Sequence, residues 1–363
     1  MLAKKISKAP MKTKLLYILS SSESDTYLES ALISVYSARF RMPDANITLL
    51  IDDVTDNNFI GNRKELLSLI TDKIVVNFDK SIDFKVRSRL LKTNMRNHIS
   101  GDFFYIDCDT LIACPLYEID FCPSDIAAVL DGHSVLQKHP VRGIFEKQSK
   151  AFDYPFEKTT CYFSSGVMFV KDTDVTSRFF NKWHTNYKVG LSIGISQDEP
   201  SLAKTNFDSG NIIRELSGEW NCQIRLGALF LKELKVLHFW SKRNMPISFL
   251  GSKDFLLKLR TEGLSKNYNF IIEYQKTFNE PLGLVANSDL YFNYSRLYEE
   301  VRQCFLKEGG ISYFKNGLSF LEKADNDVTQ SKLSNFFVLM NRLIFRIELS
   351  LVTLLYKITR RSK

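Results

Sequence analysis

The chain has 363 residues, 44% of them apolar and 25% charged, with 49 Lys and Arg against 41 Asp and Glu for a net charge of +8. That is enough material for one large α/β domain or two smaller ones, and it excludes a globally disordered chain. The modest positive charge suits an anionic ligand or an anionic membrane surface, and no nucleic-acid partner is expected from it.

The first 13 residues form a lysine-rich tail without the apolar stretch of a signal peptide, and no uninterrupted apolar run is long enough to span a bilayer. Six cysteines stand without CxxC spacing, which predicts neither a zinc site nor a disulfide framework and fits a reducing, cytoplasmic setting.

From Lys14 onward, strand and helix patterns alternate. Leu15 to Ser21 (LLYILSS) is a short apolar run with a polar exit and predicts a strand. Thr26 to Phe40 predicts a helix with Leu28, Leu32, Val35, Tyr36 and Phe40 on one face. Ala45 to Asp53 and Lys73 to Phe78 predict two more strands, and Phe84 to Ile99 a helix that leads through Ser100-Gly101 into FFYIDCD, Phe103 to Asp109. Asp125 to Asp131 is a further strand, and His133 to Thr160 reads as irregular. Cys161 to Asp172 predicts a strand interrupted at Ser164-Ser165-Gly166, and Val175 to Gly190 a helix ended by its glycine. SQDEPSLAKT reads as a loop opening a helix at Pro200. Strands alternating with helices predict an α/β fold with a mostly parallel sheet, whose ligands bind beyond the carboxyl ends of the strands.

The division predicted is a basic tail over 1–13, a catalytic domain over 14–245, a helical region over 246–333 and a final helix over 334–363. In that last segment Arg342, Arg346, Ser350, Thr353, Lys357 and Arg360 form one narrow polar stripe in an otherwise apolar run. Such a helix suits the plane of an anionic membrane, which is the reading favoured; the alternative is burial against the catalytic domain or a twin subunit in a homodimer.

Asp107-Cys108-Asp109 ends an apolar, aromatic run. Two close carboxylates repel unless a positive group lies between them or one stays protonated. On an extended strand Asp107 and Asp109 would face one ligand and Cys108 the other way. Oxygen donors suit Mg²⁺ or Mn²⁺, and such a metal would steady a diphosphate as negative charge builds on it. The plain structural alternative is that the pair caps a strand and its turn.

The order Arg89-Leu90-Leu91-Lys92, FFYIDCDTLI, YFSSGVMFV, SQDEPSL and LHFW resembles glycosyltransferases of the GT-A fold, and most of all the bacterial family-eight type, which moves galactose or glucose from UDP-sugars onto lipopolysaccharide. The resemblance covers about Lys14 to Arg243. It implies a Rossmann-like, mostly parallel mixed sheet followed by a helical extension. It implies that Asp107, Asp109 and His238 hold Mn²⁺ or Mg²⁺, that Arg89 reaches the donor sugar or diphosphate, and that Ser164, Ser165 and Gly166 line the sugar pocket, the glycine because a side chain there would block close approach. Asp198 would hydrogen-bond the sugar hydroxyls, and Ser20 and Ser21 would approach the uridine with Asp52 or Asp53 nearby.

Where the family usually has glutamine after that aspartate, this chain has Glu199, a group able to act as nucleophile or general base. Where the family continues from its histidine through a glycine and Lys-Pro-Trp, this chain runs His238-Phe239-Trp240-Ser241-Lys242-Arg243, with Lys242 or Arg243 available to neutralise the diphosphate.

The function implied is transfer of a hexose from a UDP-sugar to a lipid-linked surface glycan, lipopolysaccharide or capsule, with retention of configuration favoured, at the inner face of the cytoplasmic membrane. Two rivals are a phosphohydrolase of the haloacid dehalogenase type, whose Asp-x-Asp-x-Thr pattern differs here because Thr110 directly follows Asp109, and a non-catalytic nucleotide-sugar scaffold. Asp198 and Glu199 also suit a helix N-terminus, and Arg87, Arg89 and Lys92 a solvated helix face.

Overall fold

The computed structural model describes residues 10–264 except 80, 140–141, 160, 224–229, 231–233, 240–250 and 252. Lys242, nearly all of 246–333 apart from 251 and 253–264, and the helix expected over 334–363 therefore lie outside the described residues.

Strand β1 (Lys14–Leu19) is apolar on both faces because both are covered. It pairs in parallel with β2 (Ile47–Asp52) on one side and β4 (Phe103–Ile106) on the other, while β3 (Asp72–Val76) extends the sheet beyond β2. β7 (Phe163–Val170) runs antiparallel between β4 and β6 (Ile126–Leu130), and β8 (Arg214–Leu216) closes the far edge. The order β3-β2-β1-β4-β7-β6-β8 reverses direction of travel at β1, so the carboxyl ends of β1 and β4 flank a topological switch point, where such sheets leave a crevice.

One face is covered by α1 (Tyr27–Arg41) and the 3-10 segment Gly61–Ser68, packed on Leu15, Tyr17 and Leu19. The other is covered by α3 (Phe84–Thr93), α5 (Asp174–Ser192) and α6 (Glu199–Asp208), packed around Leu16, Ile18, Phe103 and Tyr105. A short helix α2 (Asp53–Asp56) follows β2, and α4 (Arg142–Ala151) packs through Phe145 onto Tyr162 with the rings stacked at 3.8 Å. A second, three-stranded sheet joins β5 (Thr110–Ile112), β10 (Val236–His238) and β9 (Cys222–Gln223). Finally α7 (Lys253–Glu262) rests its Leu256 and Leu259 in the first core. Among the described residues no helix is long and apolar enough to cross a membrane.

The α/β class and mostly parallel sheet are as expected, and several local expectations are corrected. The acidic stretch is not extended strand: β4 stops at Ile106 and β5 restarts in the second sheet at Thr110. Phe40 is exposed at 54%, because the buried part of α1 runs from Leu28 to Ala38 and Phe40 lies beyond it in the last turn. The helix expected through Ile99 stops at Thr93, with a 3-10 turn at Met95–Asn97. The segment 133–160 contains α4, an amphipathic turn set whose period was obscured by flanking polar loops. β7 runs through Ser164-Ser165-Gly166 without a break in its extended backbone, although its register with β6 shifts there, and Gly166 O accepts from Asp107 N at 2.8 Å. Gly190 does not end α5, which continues to Ser192; a Cβ there would sit 2.9 Å from Phe152 Cζ, so the glycine serves close packing.

β2 ends on Asp52, fully buried. Its Oδ1 accepts from Thr55 N at 2.7 Å, and its Oδ2 accepts from Ser20 Oγ at 2.8 Å and from Arg87 Nε at 2.7 Å. Removing one partner of a buried ion pair strands the other charge. Arg87→Met is therefore expected to lower the unfolding free energy by about 3–5 kcal/mol in urea denaturation; a loss below about 1 kcal/mol would show that Ser20 and Thr55 suffice for Asp52.

Candidate active site

The break between β4 and β5 brings the acidic stretch to a histidine 129 residues away. β10 pairs antiparallel with β5 so that His238 lies opposite Thr110, and Phe239 N donates to Asp109 O at 3.0 Å. His238 Nε2 then stands 3.2 Å from Asp109 Oδ1 and 3.9 Å from Asp107 Oδ2. One atom from each of Asp107, Asp109 and His238 falls within 4.8 Å of the others.

This donor set fits a divalent cation. Two carboxylate oxygens and one imidazole nitrogen suit Mn²⁺ and Mg²⁺-like ions. The other ring nitrogen, Nδ1, is 3.0 Å from Asn221 Oδ1, a partner that directs Nε2 toward the aspartates. Asn221 Nδ2 in turn donates to Ser164 Oγ at 3.2 Å. The charges already respond to each other. Burial pushes the Asp107 carboxyl up, with Lys92 opposing and Asp109 adding to the rise. Burial likewise works against ionised Asp109, but His238 outweighs it and holds that carboxyl below its usual range. His238 is raised, because the aspartates overcome its burial.

Gly166 explains how these groups approach. Its carbonyl accepts from Asp107 N at 2.8 Å, and a Cβ built on it would lie 2.6 Å from His238 Cε1 and 2.8 Å from Asp107 Oδ2. The glycine expected to line a sugar pocket also leaves room for His238 beside Asp107. Cys108 donates to Ile18 O at 3.2 Å and lines the adjoining cavity beside both aspartates.

A cavity of about 260 Å³ opens beyond these residues at the switch point, walled by the ends of β1 and β4 and the starts of α1, α3 and α6. Asp107, Asp109, Asp198, Glu199, Arg89, Lys92 and Ser20 line it. Lys92 lies at its centre of charge: Nζ is 3.3 Å from Asp107 Oδ1, 3.3 Å from Asp198 Oδ2 and 5.2 Å from the Tyr105 ring centroid. Tyr105 Oη donates to the same Asp107 oxygen. Burial disfavours the ammonium, but Asp107 and Asp198 raise its pKa, so Lys92 stays charged. Arg89 Nε adds a contact to Asp198 Oδ1 at 3.4 Å.

Asp198 precedes α6, but its carboxylate makes no capping hydrogen bond. It accepts instead from Ser165 Oγ at 2.7 Å, and although burial opposes its charge, Lys92, Arg89 and Ser165 hold its pKa down. Glu199, in the first turn, is pushed up to about 7 by burial and by Asp198 beside it. Buried Trp183 fixes this turn from α5, its Nε1 donating to Ser201 Oγ at 3.0 Å.

Of the expected site residues, Asp107, Asp109, His238, Asp198, Glu199, Arg89, Ser165 and Gly166 converge, and Ser20 reaches the cavity. Ser164 acts one step back, on Asn221. Ser21 faces inward, with its Oγ on Asp25 at 2.6 Å, and Asp52 lies behind Ser20. Lys242 is outside the described residues. Lys92, Tyr105 and Asn221 were missed. Lys92 had a signal, since it stands three residues after Arg89 on the same helical face; Asn221 had none.

No protein-family model matches the sequence, and no curated protein does. Among solved structures the chain is similar to mouse xyloside xylosyltransferase 1 in its apo form, at 13% identity over 62% of this chain and 97% of that one, with a TM-score of 0.42. It is also similar to the galactosyltransferase LgtC in complex with donor and acceptor sugar analogues, at 13% identity over 69% of this chain and 96% of that one, with a TM-score of 0.47. Likenesses at this level decide nothing about activity.

Two outcomes follow from the geometry. Gly166→Ala is expected to weaken Mn²⁺ binding at least about tenfold in calorimetric titration, because His238 and Asp107 must part to admit the methyl group; unchanged affinity would disconnect the triad from metal. Glu199, raised in the folded state, binds its proton more tightly there than in the unfolded chain. Stability should therefore fall as pH rises from about 4.5 through about 7. Urea denaturation at both ends of that window should show the fall in the parent protein and a smaller one in Glu199→Gln.

Proposed function

We propose that the chain is a metal-dependent glycosyltransferase of GT-A type that moves a hexose from a UDP-sugar to an acceptor hydroxyl, with retention of configuration favoured. The observation that supports this most is the convergence, at the switch point, of the Asp107-Asp109-His238 group with Arg89, Lys92, Asp198 and Glu199 around one cavity. It combines carboxylates able to share a cation with basic groups that face an anionic leaving group.

A divalent cation bound by Asp107, Asp109 and His238 would supply positive charge to the departing diphosphate. Arg89 stands where it can add to that charge through its guanidinium. Lys92, between Asp107 and Asp198, offsets their mutual repulsion and holds both carboxylates in place. Asp198, ionised and fixed by Ser165, accepts hydrogen bonds from donor sugar hydroxyls. As the bond from the anomeric carbon to the diphosphate oxygen breaks, its electron pair leaves with UDP. Near neutrality Glu199 exchanges a proton readily; its ionised form either attacks the anomeric carbon, giving a glycosyl ester that the acceptor oxygen displaces while the released carboxylate takes the acceptor's proton, or takes that proton directly as the acceptor oxygen bonds the anomeric carbon from the face the diphosphate leaves.

The acceptor proposed is a lipid-linked surface glycan reached at the cytoplasmic membrane surface, with the segment 334–363 as the peripheral anchor. Its support is the cationic stripe from Arg342 to Arg360.

The test is a screen of UDP-sugars read out as UDP release with and without Mn²⁺. Mn²⁺-dependent release is expected, and Asp109→Asn should lower it by about 100-fold or more with the circular dichroism spectrum unchanged. Phosphate release from phosphomonoesters would point to the hydrolase, and neither activity to a binding scaffold.

A further inference from the structure

A charge cluster away from the cavity lies where α1, the 3-10 segment Gly61–Ser68 and α7 meet. Glu29, 1% exposed, faces two arginines at once. Arg63 donates Nε to Oε1 at 2.7 Å and Nη2 to Oε2 at 3.2 Å. Arg260 donates Nε to Oε1 at 2.7 Å and Nη2 to Oε2 at 2.9 Å. Burial would raise the Glu29 carboxyl, but the two guanidinium groups hold it below its usual range.

Both arginines then reach past Glu29 to one target, the backbone of the loop from β1 to α1. Arg63 donates to Ser22 O and Asp25 O, each at 3.0 Å. Arg260 donates to Glu23 O at 2.9 Å and also to Asp25 O. The loop is wound around the Asp25 carboxylate, which accepts from Ser21 Oγ, Ser22 N and Tyr27 N at 2.6, 2.7 and 3.1 Å. Its two flanks, Ser20 and Tyr27, line the cavity. A planar guanidinium spreads its donors so that it meets both oxygens of a carboxylate and neighbouring carbonyls at once, whereas a lysine's donors all sit on one nitrogen.

Arg260 is itself presented from a fixed helix. Asn62 Nδ2 donates to the carbonyls of Arg260 and Thr261 at 3.0 and 2.9 Å, satisfying the helix end, and Leu264 N donates to Glu65 Oε2 at 2.7 Å.

We infer that Arg260, 231 residues along the chain from Glu29, is a positioning residue that, with Glu29 and Arg63, sets the β1–α1 loop in the conformation that brings Ser20 and Tyr27 into the wall of the donor cavity. This rests on reading the cavity as a donor site. The helix that follows the catalytic core thereby completes that site without touching the substrate.

The experiment compares full-length parent protein with Arg260→Lys, which keeps the charge and loses the fork, and with Arg260→Ala. Amide hydrogen exchange over residues 21–27 is expected to rise about tenfold or more in both, with β1 and β2 unchanged. The KM for the UDP-sugar should rise about tenfold while kcat stays within about twofold. Unchanged exchange over 21–27 would overturn the inference, as would a lowered melting temperature with an unchanged KM. If Arg260→Ala does not fold, Arg260→Lys decides. If the parent protein turns over no UDP-sugar, the donor reading fails by itself, and the exchange over 21–27 still decides whether Arg260 positions the loop.

Discussion

Four carboxylates, Asp107, Asp109, Asp198 and Glu199, converge on one cavity, and their mutual repulsion dictates what must surround them. Lys92 answers it by lying 3.3 Å from both Asp107 and Asp198, so that a single buried ammonium links the end of β4 to the start of α6. The remaining carboxylates take different solutions. Asp109 pairs with His238, and Glu199 has its proton held near neutrality. Groups of one chemical type thereby acquire separate states, which is how a site obtains an acceptor of hydrogen bonds, a cation ligand and a proton-exchanging acid from one residue class.

That electrostatic arrangement depends on a backbone event. Because β4 ends at Ile106 and β5 begins at Thr110 in another sheet, the residues between them leave the parallel ladder just where the crevice opens. The second sheet then carries His238 in from β10, and Gly166 in β7 leaves out the side chain that would occupy the same space. Behind this front rank, Asn221 and Ser164 orient the histidine, Trp183 steadies the first turn of α6, and Tyr105 shares Asp107 with Lys92. On the far side Arg63 and Arg260 hold the loop after β1. The cavity is thus framed by rigid elements from opposite ends of the described chain.

Local pattern carried much of this. The runs at β1, β2, β4 and β7 are strands in the structure and mostly apolar because both faces of the sheet are covered. The aspartate pair was legible as a site because close like charges at a strand end need a partner. Pattern misled where packing overrode it: Ser164-Ser165-Gly166 looked like an interruption, yet the chain stays extended and buried there, and Gly190 looked like a stop, yet it admits Phe152. Lys92 and Arg87 looked like a solvated face, since a helical stripe of basic residues carries no mark of the buried acids that will meet it.

By itself, then, the sequence determined the alternation of strands and helices, the α/β class, and the residue types able to bind a cation or carry charge, because these follow from short-range periodicity and side-chain chemistry. Only the tertiary structure decided which of those residues meet. His238 reaches Asp109 across 129 residues, Lys92 reaches Asp198, and Arg260 reaches Glu29 across 231. Such meetings are set by sheet register and helix docking, and no local stretch of chain records them.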